Sequence, residues 1–171
     1  MKNLIECTKY NCQILNNHKV EYLIIGGTAV AIHGYPRLST APDGSLLGKH
    51  DLDFWYNPTY ENYFKLLKAL KDIGFESNFF DEIEPDPSKS FFKYEFEDYK
   101  LDFLPNIKGL DKFNKAYSNR LIVNLEGVEL SVISYEDLIT TKKFSKREKD
   151  RIDIEMLKKI NQNNNNPQHT I

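Results

Sequence analysis

The chain has 171 residues, of which 40% are hydrophobic, 28% charged and 13% aromatic, a length and balance that suit one globular domain around a single core. A net charge of -2 and a pI of about 6.1 exclude a surface built to coat nucleic acid, so any basic site is local. No apolar run approaches the roughly 18 residues of a membrane span, no signal peptide is visible, and Cys7 and Cys12 form no CxxC motif, so the expectation is a cytoplasmic protein with reduced thiols and no membrane partner.

Residues 2–17 are predicted to form a helix, with Leu4, Ile5, Ile14 and Leu15 as its apolar contacts. Tyr22–Ile25 is a short apolar run, predicted as a buried strand, that ends at Gly26-Gly27. Thr28–His33 is predicted as a short helix stopped by Gly34 and Pro36. Residues 37–49 carry Pro, Asp-Gly and Gly signals and are predicted as a long loop, a length that often marks function. HDLDFWY, residues 50–56, alternates as a strand. Thr59–Ile73 has helical spacing at Tyr63, Leu66, Leu67 and Leu70, with Gly74 as its C-cap. Phe75–Phe80 is predicted as a strand and residues 81–89 as an acidic loop.

Phe91–Glu97 and Lys100–Leu104 alternate and are predicted to pair as a hairpin. A short helix is expected over Leu110–Tyr117, and a second hairpin over Leu121–Leu125 and Val128–Val132, turning at Glu126-Gly127. Ser134 is placed as the N-cap of a helix to about Phe144, with Asp137 completing a capping-box-like pattern. A final helix over Lys146–Ile160 is expected to bury Ile152, Met156 and Ile160. The Asn/Gln-rich residues 161–171 are expected to be a disordered tail to a single domain over 1–160.

Three stretches carry chemistry. In a strand, residues i and i+2 share a face, so Asp51 and Asp53 project together while Leu52 and Phe54 point into the core. Adjacent carboxylates repel unless a proton or a cation lies between them, and clustered oxygen ligands suit a hard cation such as Mg²⁺ or Mn²⁺. Taken alone, the pair reads as a sheet edge protected by charge. YLIIGGTAV, residues 22–30, runs a buried strand through Gly-Gly into a helix, a geometry that lets a phosphate approach backbone N–H groups, with the Thr28 hydroxyl as a further contact; the alternative is an ordinary strand-to-helix turn. KLDFLP, residues 100–105, puts Asp102 between Leu101 and Phe103, which are core residues; the alternative is a surface aspartate. His33 and His50 read as packing or incidental residues, and KKFSKREKDR as a solvated basic face.

Gly-Gly, then Asp-x-Asp on the next strand, then a lone Asp on a later strand resembles the nucleotidyltransferase superfamily with the polymerase-β-like core. The resemblance extends to LITTKKFSKREKDRIDIEML, residues 138–157, where Lys142 precedes Arg147, Lys149, Asp150 and Asp153. It is similar to the helix pair that closes AbiEii-type toxin nucleotidyltransferases and their uncharacterised bacterial relatives. The match covers roughly residues 20–160. The link STAPDGSLLGK, residues 39–49, is longer than in that family, and Lys49-His50 stands where a Ser or Thr usually precedes the Asp-x-Asp. The insertion is expected to be a lid or acceptor loop.

The resemblance implies an α/β (α+β) fold: a mixed-sheet nucleotidyltransferase core with flanking helices and a C-terminal helix pair. It implies an enzyme that transfers NMP from an NTP to an acceptor hydroxyl on a tRNA or other RNA end, a protein or a small molecule. A toxin-antitoxin setting with an antitoxin partner protein would follow. Asp51, Asp53 and Asp102 would hold Mg²⁺ (or Mn²⁺), and Asp102 would help to deprotonate the acceptor. Gly26, Gly27 and Thr28 would cradle the β- and γ-phosphates, and Lys142 would neutralise phosphate charge. Nucleotidyl transfer needs positioning and charge neutralisation more than covalent chemistry. A second reading is a catalytically inactive binding or antitoxin subunit on the same fold; three intact aspartates weigh against it.

Overall fold

Leu52 and the aromatic run Phe54-Trp55-Tyr56 make strand β2, His50–Tyr56, the centre of the architecture. The computed structural model describes residues 4–36, 49–76 and 85–165. Among them the order is α1 (Leu4–Asn17), β1 (Tyr22–Ile24), α2 (Gly26–Ile32), β2, α3 (Tyr60–Ile73), β3 (Phe92–Glu95) and β4 (Tyr99–Leu104). There follow α4 (Phe113–Ser118), β5 (Leu121–Leu125), β6 (Val128–Val132), α5 (Tyr135–Ser145) and α6 (Glu148–Asn165). One mixed sheet has the order β3-β4-β2-β1-β6-β5. β2 runs antiparallel to β1 and parallel to β4. β3/β4 and β5/β6 are antiparallel hairpins, and β1 joins the second of them by parallel pairing with β6. This is the mixed α/β core expected from the sequence.

The register sorts the side chains into two faces. Leu52 lies opposite Leu101 and Phe54 opposite Phe103, and all four are buried. The Phe54 and Phe103 rings stack at 4.8 Å, and Tyr22 meets Phe54 edge-on. α3 covers this face with Tyr63, Leu66, Leu70 and Ile73. Its start is fixed by Thr59, whose side chain accepts the Asn62 N–H, and its end by Gly74 in the left-handed region. α1 packs on α3 and β6. Its buried face is Cys7, Thr8, Asn11, Cys12 and Leu15, whereas Ile5 is exposed. Thr8 and Asn11 can be buried because their side chains donate to the Leu4 and Cys7 carbonyls one turn back. Burial pushes the Cys12 thiol up to about 12, so it is an inert packing group.

The opposite face carries Asp51, Asp53, Trp55, Asp102 and Leu104, by the same alternation. Trp55 donates to the Pro105 carbonyl and meets Phe113 of α4 edge-on, which ties β2 to the turn after β4. Ser134 caps α5 by accepting the Asp137 N–H, as expected.

Three expectations are corrected. The helix expected from Leu110 starts at Phe113. α6 continues to Asn165, so five residues expected in the tail are helical. α6 does not bury Ile152, which is 44% exposed; its buried positions are Asp150, Asp153 and Leu157. The reason is a buried lysine on α5, described below, which draws both aspartates inward. The strand expected over Phe75–Phe80 and the insertion 39–49 fall largely outside the described residues, and Phe75-Glu76 is irregular. Among the described residues no helix is long and apolar enough to cross a membrane.

Candidate active site

Parallel pairing puts Asp53 directly opposite Asp102, and Asp51 opposite Lys100. The three sequence-predicted carboxylates therefore share one face of two adjacent strands. Asp53 is the innermost. Burial first, and then the charges of Asp102 and Asp51, push its carboxyl up to about 6, against the opposing pull of Lys142 and Arg147. Burial likewise raises Asp102, with Lys93 opposing. Lys93 stands 3.6 Å from Asp102 Oδ2, but Asp102 Oδ1 is buried with no hydrogen-bond partner.

The Gly-Gly turn closes against this carboxylate. Gly26 has a φ of +64°, and a Cβ there would lie 2.1 Å from Asp53 Oδ2. Only glycine allows both the left-handed backbone and the approach. The Ile25 N–H donates to the Asp53 carbonyl at 3.0 Å. Thr28 is buried and its hydroxyl donates to the Asp51 carbonyl at 3.2 Å, so it fixes α2 on β2 by a bond internal to the protein.

A cavity of about 260 Å³ opens in front of Asp53 and Gly26, with Lys108 at the turn beyond β4 and Lys142, Ser145, Arg147 and Asp150 from the α5–α6 pair on its other side. Lys142 lines it but is 6% exposed, and its Nζ donates to Asp150 Oδ1 at 2.7 Å and Asp153 Oδ2 at 2.8 Å. Asp150 also accepts from the Ser145 hydroxyl and, at 2.7 Å, from Arg147 Nε. Burial alone would raise the Asp150 carboxyl; the hydrogen bonds from Lys142, Ser145 and Arg147 outweigh it and hold the group at about 2. Arg147 itself is 61% exposed.

The structure thus brings Asp51, Asp53, Asp102 and Gly26 together and puts Lys142 across the cavity, with its ammonium turned into the helix pair. Sequence reasoning gave no separate role to Arg147 or Lys108. Lys108 was signalled only by its place just beyond the carboxyl end of a strand, where open α/β sheets gather ligands. A larger apolar cavity of about 660 Å³, between Leu4, Ile32, His50 and Leu125, holds none of these carboxylates.

The residues fit a hard divalent cation. The donors are carboxylates on one face, one buried oxygen lacks any partner, and their mutual repulsion is only partly offset by Lys142 and Arg147. Among the described residues no group of three or more His, Cys, Asp or Glu side chains is arranged to hold a metal ion by itself. Mg²⁺ rarely uses one; it takes one or two carboxylates and completes its shell with water and substrate phosphates.

Comparison with known proteins gives the same direction. A family model described as "Nucleotidyltransferase of unknown function (DUF6036)" matches residues 2–166. No curated protein sequence matches the chain. Among solved structures, a lincomycin-bound lincosamide antibiotic adenylyltransferase is similar, with a TM-score of 0.55 and 22% identity over 88% of this chain and 94% of that one. An antigenic nucleotidyltransferase-like protein from Paracoccidioides brasiliensis has a TM-score of 0.56 and 17% identity over 90% and 74% of the two chains. At these identities the likeness is one of fold.

Proposed function

The chain belongs to a family of nucleotidyltransferases of unknown function, and on that premise we propose that it transfers NMP from an NTP to an acceptor hydroxyl with the help of Mg²⁺ or Mn²⁺. The observation that carries this reading is the register of β2 and β4, which sets Asp53 against Asp102 beside Asp51, with Asp53 lining a cavity that has cationic side chains on its far side. Carboxylates on one wall suit a cation, and cations on the other suit a polyphosphate.

In this reading Asp51, Asp53 and Asp102 hold the metal, which when bound neutralises the triphosphate and the charge that develops as pyrophosphate leaves. Asp102 accepts the proton of the attacking hydroxyl. The Gly26-Gly27 turn, whose Gly26 lines the cavity beside Asp53, admits the β- and γ-phosphates, and Thr28 braces it from behind. Lys142 stands behind the opposite wall, paired with Asp150 and Asp153. The acceptor is an RNA end, a protein hydroxyl or a small molecule.

The test is incubation with each α-labelled NTP, Mg²⁺ and a total cell extract. Label on one class of acceptor, released by no other nucleotide, identifies base and acceptor together. No label from any NTP, with Mg²⁺ or with Mn²⁺, would instead favour a catalytically inactive binding subunit.

A further inference from the structure

We propose that Arg147 and Lys108 are the side chains that contact the polyphosphate, and that Lys142 is a positioning residue that acts through Asp150 on Arg147. This rests on the NTP reading above and assigns the cationic wall of that site. Lys142 is 6% exposed and bridges two carboxylates that are themselves fully buried. Turning its ammonium toward a phosphate would break both of these buried ion pairs, and breaking a buried pair is strongly unfavourable.

Arg147 has the complementary arrangement. Its Nε is held by Asp150 Oδ2 at 2.7 Å, with Ser145 Oγ at 3.3 Å, which fixes the plane of the guanidinium. Its two terminal NH₂ groups have no hydrogen bond or ion pair among the described residues. A guanidinium held by Nε with its outer edge open is a fork for phosphate oxygens.

Charge counting separates the two cations. Lys142 against Asp150 and Asp153 leaves one negative charge, which Arg147 cancels, so Arg147 supplies geometry more than net charge. Lys108 is exposed, lines the same cavity, and makes no ion pair among the described residues, so it supplies the uncompensated charge. Its turn is fixed by the next residue. Gly109 has a φ of +90°, and a Cβ there would lie 2.5 Å from the Phe144 ring of α5. The turn that carries Lys108 is therefore packed against the helix pair that carries Arg147.

Inorganic triphosphate with Mg²⁺ is the probe, because it needs no choice of base, and titration calorimetry on the full chain is the readout. Arg147→Ala is expected to weaken Kd about tenfold, and Arg147→Lys to restore little of it. Lys108→Ala should cost about threefold at low salt and less as salt rises, with Lys108→Arg tolerated. The melting temperature should stay near wild type in all four. Lys142→Met should lower the melting temperature and weaken binding no further than Arg147→Ala does, and the double variant Lys142→Met/Arg147→Ala should bind like Arg147→Ala alone. Multiplying losses in that double variant would show that Lys142 touches phosphate itself and overturn the assignment. So would wild-type affinity in both Arg147→Ala and Lys108→Ala, which settles the matter even if Lys142→Met does not fold. If the wild-type chain binds neither Mg²⁺-triphosphate nor any NTP, the nucleotidyltransferase reading fails first.

Discussion

Asp53 is the residue on which the most turns. Its carboxyl is pushed up to about 6 by burial and by two neighbouring carboxylates, so the folded state favours its protonated form. That contribution to stability is complete below the unfolded value near 4 and is lost as pH rises through about 6. Asp53→Asn removes the repulsion for good. The variant should be more stable than wild type at pH 7, on the order of 3 kcal/mol at about 1.4 kcal/mol per pKa unit, and the difference should vanish below about pH 4. Chemical denaturation at a series of pH values without metal measures it; a variant less stable than wild type at pH 7 would contradict the account. Asp150 has the opposite sign. Held at about 2 by Lys142, Ser145 and Arg147 despite its burial, it stabilises the fold above pH 4, and the effect fades as pH falls toward 2. Asp150→Ala should cost roughly 3 kcal/mol at pH 7, because it leaves Lys142 buried with half its partners. A loss below about 0.5 kcal/mol, the scale of an exposed pair, would mean the network is not buried in solution. The sequence made the Asp-x-Asp pair legible, since a period of two puts both carboxylates on one face. It could not reveal that Lys142 turns inward, because its partners lie on another helix and nothing local marks them.

Among the elements, the sequence pattern located the six strands of the described sheet to within two residues of their observed bounds, and the Gly74, Ser134 and Glu126-Gly127 signals worked as caps and a turn. It failed on α6 for a stated reason. Ile152, Met156 and Ile160 form a regular line, yet burial follows Asp150, Asp153 and Leu157, because satisfied charge–charge hydrogen bonds outweigh the transfer of one isoleucine. α2 depends on one atom. Gly26 starts it in the left-handed region, with no room for a Cβ beside Asp53. Gly26→Ala is expected to destabilise the chain by about 1–2 kcal/mol and to displace the Asp53 carboxylate, so the loss of Mg²⁺-triphosphate affinity should exceed that of Arg147→Ala. Thermal melts and the same calorimetry test both parts. An alanine variant with unchanged melting temperature and affinity would show that the turn relaxes freely.

The whole molecule supplies what no single element contains. β2 and β4 are neighbours, with β3 pairing back on β4 and β4 running parallel to β2; periodicity does not give that order, because the Asp-x-Asp and Asp102 are far apart and joined by α3, and it is the family resemblance that implies neighbouring strands and one shared site. The helix pair then brings Arg147 and Lys142 over the same strands from the far end of the chain. The proposed function requires that these three carboxylates form one transfer centre. The most direct measurement is label transfer under single-turnover conditions, using the α-labelled NTP and acceptor that the extract experiment identifies, with wild type, Asp53→Asn and Asp102→Asn side by side. The account predicts transfer by wild type with Mg²⁺, none by either variant within at least a hundredfold, and melting temperatures in both variants no lower than wild type. Transfer by Asp53→Asn or Asp102→Asn at the wild-type rate would contradict it.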